Sequence, residues 1–482
     1  MDRPNVLLIV LDCVRADRLP PTTNRENTTP SIDSFSMDST IFSNATTVAP
    51  WTLPSHGSMF TGLYSSEHGA VSLERRRIRP DVKTLAEILS DAGYETVAVC
   101  QNDSVVSIGK TTGLDRGFST FYGTDEIIAT SVHRRLCNVH GLKTLLNIYS
   151  TFLLNRHLTE LSISLIKKTL KKSHEKDEKP LFMFVNLLNA HFPYEDGVPS
   201  KRSLRRLLET VRRARSHTVP APIQRQLKQL ATKNEFTEQE FAKLRQEYNE
   251  CVQFMDEQLG ELFNFMRNHQ IIDKTLIIIT ADHGENIGDH GLLGHDLSVH
   301  DSLLRVPLII RYPKKFPTNT TVSRQVEIRR IFHTIVDVVL GSGVGDYLRT
   351  DPSLLNEAQH PGDAEDYVYG EYFPSRRELS ILEEYGARLG DQDIKDSTRF
   401  VRDKSFKYVE SGTSLGTLYS TKNEDMPIDR VENAEQYDSL NDRLQTWKNQ
   451  LHAPAGDEAD KTVFDEKEDK ILTERLQALG YN

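Results

Sequence analysis

Cysteine is scarce in this chain. Four occur in 482 residues, Cys13, Cys100, Cys137 and Cys251, and they are too far apart to pair as a metal-binding motif. This spacing excludes a disulfide-stapled scaffold and a zinc ribbon, and predicts buried free thiols in a reducing compartment. Long hydrophobic runs are missing too. The apolar stretch Val6–Leu11 is far shorter than a bilayer requires, and it leads into Asp12, Arg15 and Asp17, not a small-residue cleavage site. No signal peptide or membrane span is therefore expected, and the expected location is cytoplasmic. Positive charge is not in excess. The formal net charge is −10, with both signs mixed along the chain, which excludes a general nucleic-acid binder. Internal repeats and low-complexity tracts are also absent.

What is present is an alternation of short apolar runs with amphipathic ones. Val6–Leu11, Tyr94–Cys100, Leu181–Leu188, Thr275–Thr280 and Val306–Arg311 read as strands. Lys83–Ala92, ended by Gly93, and Phe236–Asn268 read as helices. Such alternation implies an α/β fold with a parallel-dominated sheet flanked by helices. The expected catalytic domain covers residues 1–345. It carries two helical insertions, at about 124–179 and 200–233, the second holding a basic cluster at Lys201–Arg215. Each is read as a solvated excursion or a specificity element. The polar segment Ser342–Glu365 reads as a linker. Beyond it, residues 366–482 are expected to form a smaller α+β domain. Its short antiparallel strands are Asp366–Tyr372, Ser397–Arg402, Phe406–Glu410 and Gly416–Tyr419, and its helices are Ala434–Leu451 and Glu466–Leu479 after an acidic loop at Ala455–Asp460.

The chemistry is concentrated in Thr280-Ala281-Asp282-His283-Gly284-Glu285, which continues to His290 and His295. Asp282 and His283 follow a buried strand, at the sheet edge where open α/β folds bind ligands. A carboxylate beside an imidazole there suits a divalent metal. Asp12 ends the first strand in the same way. Thr52, in Ala49-Pro50-Trp51-Thr52-Leu53-Pro54-Ser55-His56, precedes a short helix expected through Ser58–Phe60. On spacing alone Thr52 reads as a helix cap. Beside a metal, the same place at a helix N-terminus favours an activated hydroxyl.

These motifs, together with Arg15-Ala16-Asp17, Thr61-Gly62, Leu85-Ala86-Glu87, His191-Phe192-Pro193-Tyr194 and Arg305-Val306-Pro307-Leu308, resemble those of the type I sulfatases of the alkaline phosphatase superfamily. The resemblance implies an alkaline phosphatase-like fold and a metal-dependent hydrolase of sulfate or phosphate esters. It places Asp12, Asp282 and His283 at metal-ligand positions and Thr52 at the nucleophile. His191 falls where a histidine contacts the transferred group, and His295 where a lysine usually does. Arg15 and His56 are further candidates. His290 and His300 read as structural.

Two departures from the family shape the expected mechanism. Sulfatases oxidise a Cys or Ser in Cys/Ser-x-Pro-Ser-Arg to formylglycine, but this chain has Thr52 and His56 at the first and last positions. Oxidation of threonine gives a ketone, so no formylglycine is expected. A threonine ester cannot eliminate its group from a gem-diol, and direct attack by water is easier at phosphorus than at sulfur; phosphoester chemistry is therefore favoured. Cys13 stands where many sulfatases have a second Asp ligand. The expected cofactor is one divalent ion, with Mn or Zn fitting at least as well as Ca. The expected partner is a small-molecule or glycan ester. A phospho-group transferase acting on a glycan or lipid headgroup and a non-catalytic anion-binding protein are the alternatives.

Overall fold

The computed structural model describes residues 3–22, 29–102, 112–130, 155–176, 178–194, 225–226, 228–229, 232–341, 353–361, 366–376, 378–380, 397–412 and 415–451. The main sheet is built from β1 (Asn5–Leu11), β2 (Thr40–Thr46), β3 (Glu95–Cys100), β4 (Thr120–Tyr122), β5 (Leu181–Leu187) and β6 (Thr275–Thr280). A two-stranded ribbon, β7 (Asn286–Ile287) with β8 (Leu293–Gly294), interrupts the run before β9 (Leu308–Arg311) and β10 (Thr320–Glu327) complete the sheet. The strand order is β10-β2-β9-β6-β1-β5-β3-β4. Every pairing is parallel except those of β9, which runs antiparallel to both β2 and β6.

The continuous Val/Leu/Ile runs have a simple cause. β1, β5 and β6 lie at the centre with helices over both faces, so neither side of the pleat can be polar. Three strands of this sheet escape the sequence reading. Polar residues interrupt the apolar ones of β2, at Ser43-Asn44, and of β10, at Ser323-Arg324-Gln325, and β4 has only three residues. β9 begins at Leu308, two residues after the expected start.

The described C-terminal part of the insertion at 124–179 packs on the core. Its helix Asn155–Lys176 buries Leu158, Ile163, Ile166 and Leu170 in the main core, while its lysines take the outer face. Thr159 and Ser162 of this helix accept hydrogen bonds from Gln101, just past β3, at 3.1 and 3.0 Å. The expected linker also contains structure. Leu354–Gln359 is a helix capped by the Ser353 hydroxyl, with Leu354 and Ala358 buried. Most of 200–233, including the basic cluster, lies outside the described residues, as do the acidic loop and the terminal helix.

The second sheet is antiparallel, β11 (Val368–Tyr372), β12 (Thr398–Arg402), β13 (Phe406–Ser411), β14 (Thr417–Ser420) and β15 (Asn423–Pro427) in order. The helix Ala434–Gln450 covers it with Leu440, Leu444 and Trp447. It docks on the loop that leads to Thr52: the Glu371 N–H donates to the Val48 carbonyl at 2.9 Å. Among the described residues no helix is long and apolar enough to cross a membrane.

One core residue links packing to the site. Phe184 of β5 is fully buried and meets the rings of Phe60 and His56 edge-on, at 4.9 and 5.7 Å between centroids. Phe184→Ala is expected to destabilise the protein by about 3–5 kcal/mol, because the surrounding sheet cannot collapse into the cavity. A urea midpoint within error of the parent's would contradict this packing.

Candidate active site

β6, β1 and β5 are neighbours, so their C-terminal ends bring Asp282–His283, Asp12 and His191 to one edge of the sheet. The fourth part comes from the helix Thr52–Thr61, all ten of whose residues are buried. Trp51, not Thr52, is its N-cap, and no side chain caps it. Thr52 is the first helical residue, and its hydroxyl oxygen lies 3.2 Å from His283 Nε2. The cap reading therefore fails, and the hydroxyl faces the site. Pro54 is tolerated because the first turn needs no amide donor there. Ser55 clamps the helix start to β6 by donating to the Asp282 carbonyl at 2.7 Å.

Asp12 and Asp282 are both fully buried. Asp12 Oδ2 accepts from Asn102 at 2.8 Å and Asn186 at 3.1 Å. Burial raises the Asp12 carboxyl, but His191, His283 and Asn102 outweigh it and hold the group below its ordinary value. Burial, then the Asp12 charge, pushes Asp282 well above the ordinary range. Two carboxylates that close in a dry pocket cannot both stay ionised without a cation. Asp282 Oδ2 has no hydrogen-bond partner. Asp12, Asp282 and His283 present ligand atoms within 4.8 Å of one another. This donor set fits a divalent ion.

His283 is in the right tautomer for that task. Its Nδ1–H donates to the Gly284 carbonyl at 2.8 Å, which leaves a lone pair on Nε2 beside Thr52 and Asp282. Burial, then the nearby His295, pushes its pKa well below the ordinary value. Gly284 is required by close approach: a Cβ there would lie 2.0 Å from the Ser302 carbonyl oxygen.

His295 behaves differently. Burial disfavours its protonation, but Glu285, at 3.3 Å from Nδ1, lifts it to about 9. An imidazole whose protonated form Glu285 favours thus stands at the position expected of a lysine. His191, half-buried, donates from Nδ1 to the Phe192 carbonyl at 2.6 Å, and its ring centroid lies 5.2 Å from that of His295.

Two expected residues sit behind these groups. His56 donates from Nδ1 to the Thr52 carbonyl at 2.8 Å and lies 3.6 Å from Asp282 Oδ2; burial depresses its pKa. It supports the helix turn under Thr52. The Arg15 guanidinium is held by Asp17 and Asp289, and it donates to the Glu285 carbonyl at 3.1 Å. Its contacts tie the Glu285–Asp289 loop to the first strand, not to the Thr52 hydroxyl. His290 and His300 stack at 3.6 Å, His290 beside Asp425 and His300 beside Glu424 of β15.

Sequence reasoning missed Asn102, Asn186, Glu285 and Tyr248. Asn186 carries a visible signal, an amide inside an otherwise apolar central strand. Glu285 lies within the Asp282–His295 motif, without an assigned role. Tyr248 donates to the Cys13 carbonyl at 2.9 Å and accepts from the Arg15 N–H at 3.0 Å, from an unremarkable helical position.

The Sulfatase family profile matches residues 4–342, which hold all of these site residues. An N-acetylglucosamine-6-O-sulfatase of Bacteroides thetaiotaomicron is 32% identical over 149 residues, 30% of this chain and 26% of that protein. An uncharacterised sulfatase of Escherichia coli, YidJ, is 22% identical over 335 residues, 65% of this chain and 64% of that protein. The matched region is thus less than two thirds of either relative's length. A phosphonate monoester hydrolase of Silicibacter pomeroyi shares the fold, with a TM-score of 0.70 at 19% identity over 94% of this chain and 96% of that one. The chain therefore belongs to the sulfatase family, a family of hydrolases acting on ester bonds.

Proposed function

We propose that this protein cleaves phosphate or sulfate esters through the Thr52 hydroxyl, with phosphoesters preferred. The observation that carries the reading is the uncapping, site-facing hydroxyl of Thr52, 3.2 Å from His283 Nε2 and beside the buried carboxylate pair. Asp12, Asp282, His283 and Thr52 would hold one divalent ion, Mn, Zn or Ca. When bound, it supplies Lewis acidity and lowers the pKa of the hydroxyl.

The chain's own groups do the rest. The positive end of the Thr52–Thr61 helix favours negative charge on the Thr52 oxygen. That oxygen, its proton given up to solvent, forms a bond to phosphorus as the bond to the leaving oxygen breaks. Of His191 and His295, one protonates the leaving oxygen and the other donates to the oxygens that gain charge. Water then attacks phosphorus, the histidine takes its proton, and Thr52 is released. Threonine favours phosphorus over sulfur here, because no gem-diol is available to expel sulfate. The similarity to an N-acetylglucosamine-6-O-sulfatase supports a glycan ester among the candidate substrates.

The test is nitrophenol release from phosphate monoester, phosphate diester and sulfate ester by protein stripped of metal and then resupplied. Metal-restored cleavage is expected, with a phosphoester turned over at least about tenfold faster than the sulfate. Faster sulfate cleavage would overturn the preference. Cleavage of none would overturn the hydrolase reading in favour of anion binding.

A further inference from the structure

We infer that Cys13 Sγ is itself a ligand of the divalent ion, so that this site selects a thiophilic ion such as Zn²⁺ or Co²⁺ over Ca²⁺ or Mg²⁺. The inference rests on the reading that Asp12, Asp282 and His283 hold that ion.

Cys13 is not placed as a structural thiol. Inert buried thiols pack among apolar groups. Cys13 is fully buried, yet its sulfur lies 3.3 Å from Asp12 Oδ1, 3.9 Å from His295 Nδ1 and 4.0 Å from His283 Nδ1. Its ligand atom and those of His283 and His295 lie within 4.8 Å of one another, and the same holds for Asp12, Asp282 and His283. The two sets meet at His283, which shows Nδ1 to the sulfur and Nε2 to Thr52 and Asp282, so the sulfur stands at the margin of the carboxylate pocket, beside Asp12 Oδ1.

The spacing is close to that of coordination. At a tetrahedral angle, zinc bonds of about 2.3 Å to sulfur and about 2.0–2.2 Å to oxygen put the two ligand atoms roughly 3.5–3.7 Å apart. The observed sulfur–Asp12 oxygen separation, 3.3 Å, is a few tenths of an ångström shorter. A second observation points to the same ligand. Asp282 Oδ2, wholly buried, has no hydrogen-bond partner.

The backbone is held in a shape that delivers the sulfur. Cys13 has φ of 63°, uncommon for a residue with a Cβ. Its N–H donates to Asp282 Oδ1 at 3.3 Å, and its carbonyl accepts from Tyr248. A turn tied at both ends to the carboxylate and to a buried tyrosine costs strain that a packing thiol would not need.

The step balances simply. In the metal-free protein the thiol proton is directed at Asp12. Binding forms a metal–sulfur bond, breaks the S–H bond and releases one proton to solvent. No oxidant or reductant is involved. Thiolate ligation shifts preference toward soft ions, whereas a carboxylate at the same place would favour hard ones.

The test uses the full chain loaded with Co²⁺ and read by absorption. The expected spectrum has the visible d–d bands of bound cobalt and a thiolate-to-cobalt charge-transfer band in the near ultraviolet. Cys13→Ser is expected to keep the first and lose the second. Cys13→Asp should lower the ratio of Zn²⁺ to Ca²⁺ affinity by more than about tenfold in calorimetry. Cobalt bands with no charge-transfer band in the unaltered protein would overturn thiolate ligation while leaving the metal reading intact; this arm needs no variant to fold. No cobalt binding at all would overturn both.

Discussion

Thr52→Ala is expected to lower kcat for ester cleavage by at least about a thousandfold and to leave the protein folded. The size follows from the role. Removing a nucleophile removes the step, and the remaining groups can only assist attack by water. The survival of the fold follows from the surroundings. Thr52 caps nothing, and its hydroxyl has one observed partner, His283 Nε2. Loss of that bond costs within about 1 kcal/mol. Helix position, burial and the Ser55 clamp are untouched by the change. Thr52→Ser keeps the hydroxyl and is expected to retain turnover, which separates chemistry from packing. Steady-state rates and thermal unfolding of both variants check the pair. Full activity in Thr52→Ala would remove the nucleophile from the account.

Asp282→Asn is expected to raise the stability of the metal-free protein and to erase its response to metal. Both Asp12 and Asp282 are fully buried, with ligand atoms within 4.8 Å. Without a cation this arrangement is unfavourable, and an uncharged side chain of the same shape relieves it. The amide also fits the local hydrogen bonds. Its oxygen can keep accepting from the N–H groups of His283 and Cys13, now at 2.9 and 3.3 Å from Oδ1. Its NH₂ would then face the His283 Nε2 lone pair, which lies 3.3 Å from Oδ2. With a suitable ion at about 100 times its Kd, the parent gains roughly 2.7 kcal/mol by linkage. The variant is expected to gain almost none of it. Thermal unfolding with and without metal checks both halves. A metal-induced shift equal to the parent's would show that Asp282 is not a ligand.

The same physics explains what could be read beforehand. Central strands announce themselves because burial on both faces demands unbroken apolar runs, as in Thr275–Thr280. β2 and β10 carry no such run, because polar residues interrupt both, at Ser43-Asn44 and at Ser323-Arg324-Gln325. The helix Asn155–Lys176 is hard to place from sequence because its lysines crowd the C-terminal half, while its buried stripe is thin. At the site, residues adjacent in sequence to strand ends were legible: Asp12, Asp282 and His283. Groups that act by crossing the fold were not. Tyr248 meets Cys13 across 235 positions, and Asn102 meets Asp12 across 90. Arg15 is a candidate through the family resemblance, and only the three-dimensional arrangement shows Asp17 and Asp289 binding it.

The claim on which the account turns is that Thr52 is an unoxidised hydroxyl that becomes covalently esterified during turnover. Mass spectrometry of the peptide containing Thr52 tests it most directly, in resting protein and after acid quench during phosphoester cleavage. The account predicts plain threonine at rest and one phosphoryl group on Thr52 in the quenched sample. Turnover with the phosphoryl group on another residue, or an oxidised side chain at Thr52, would contradict it.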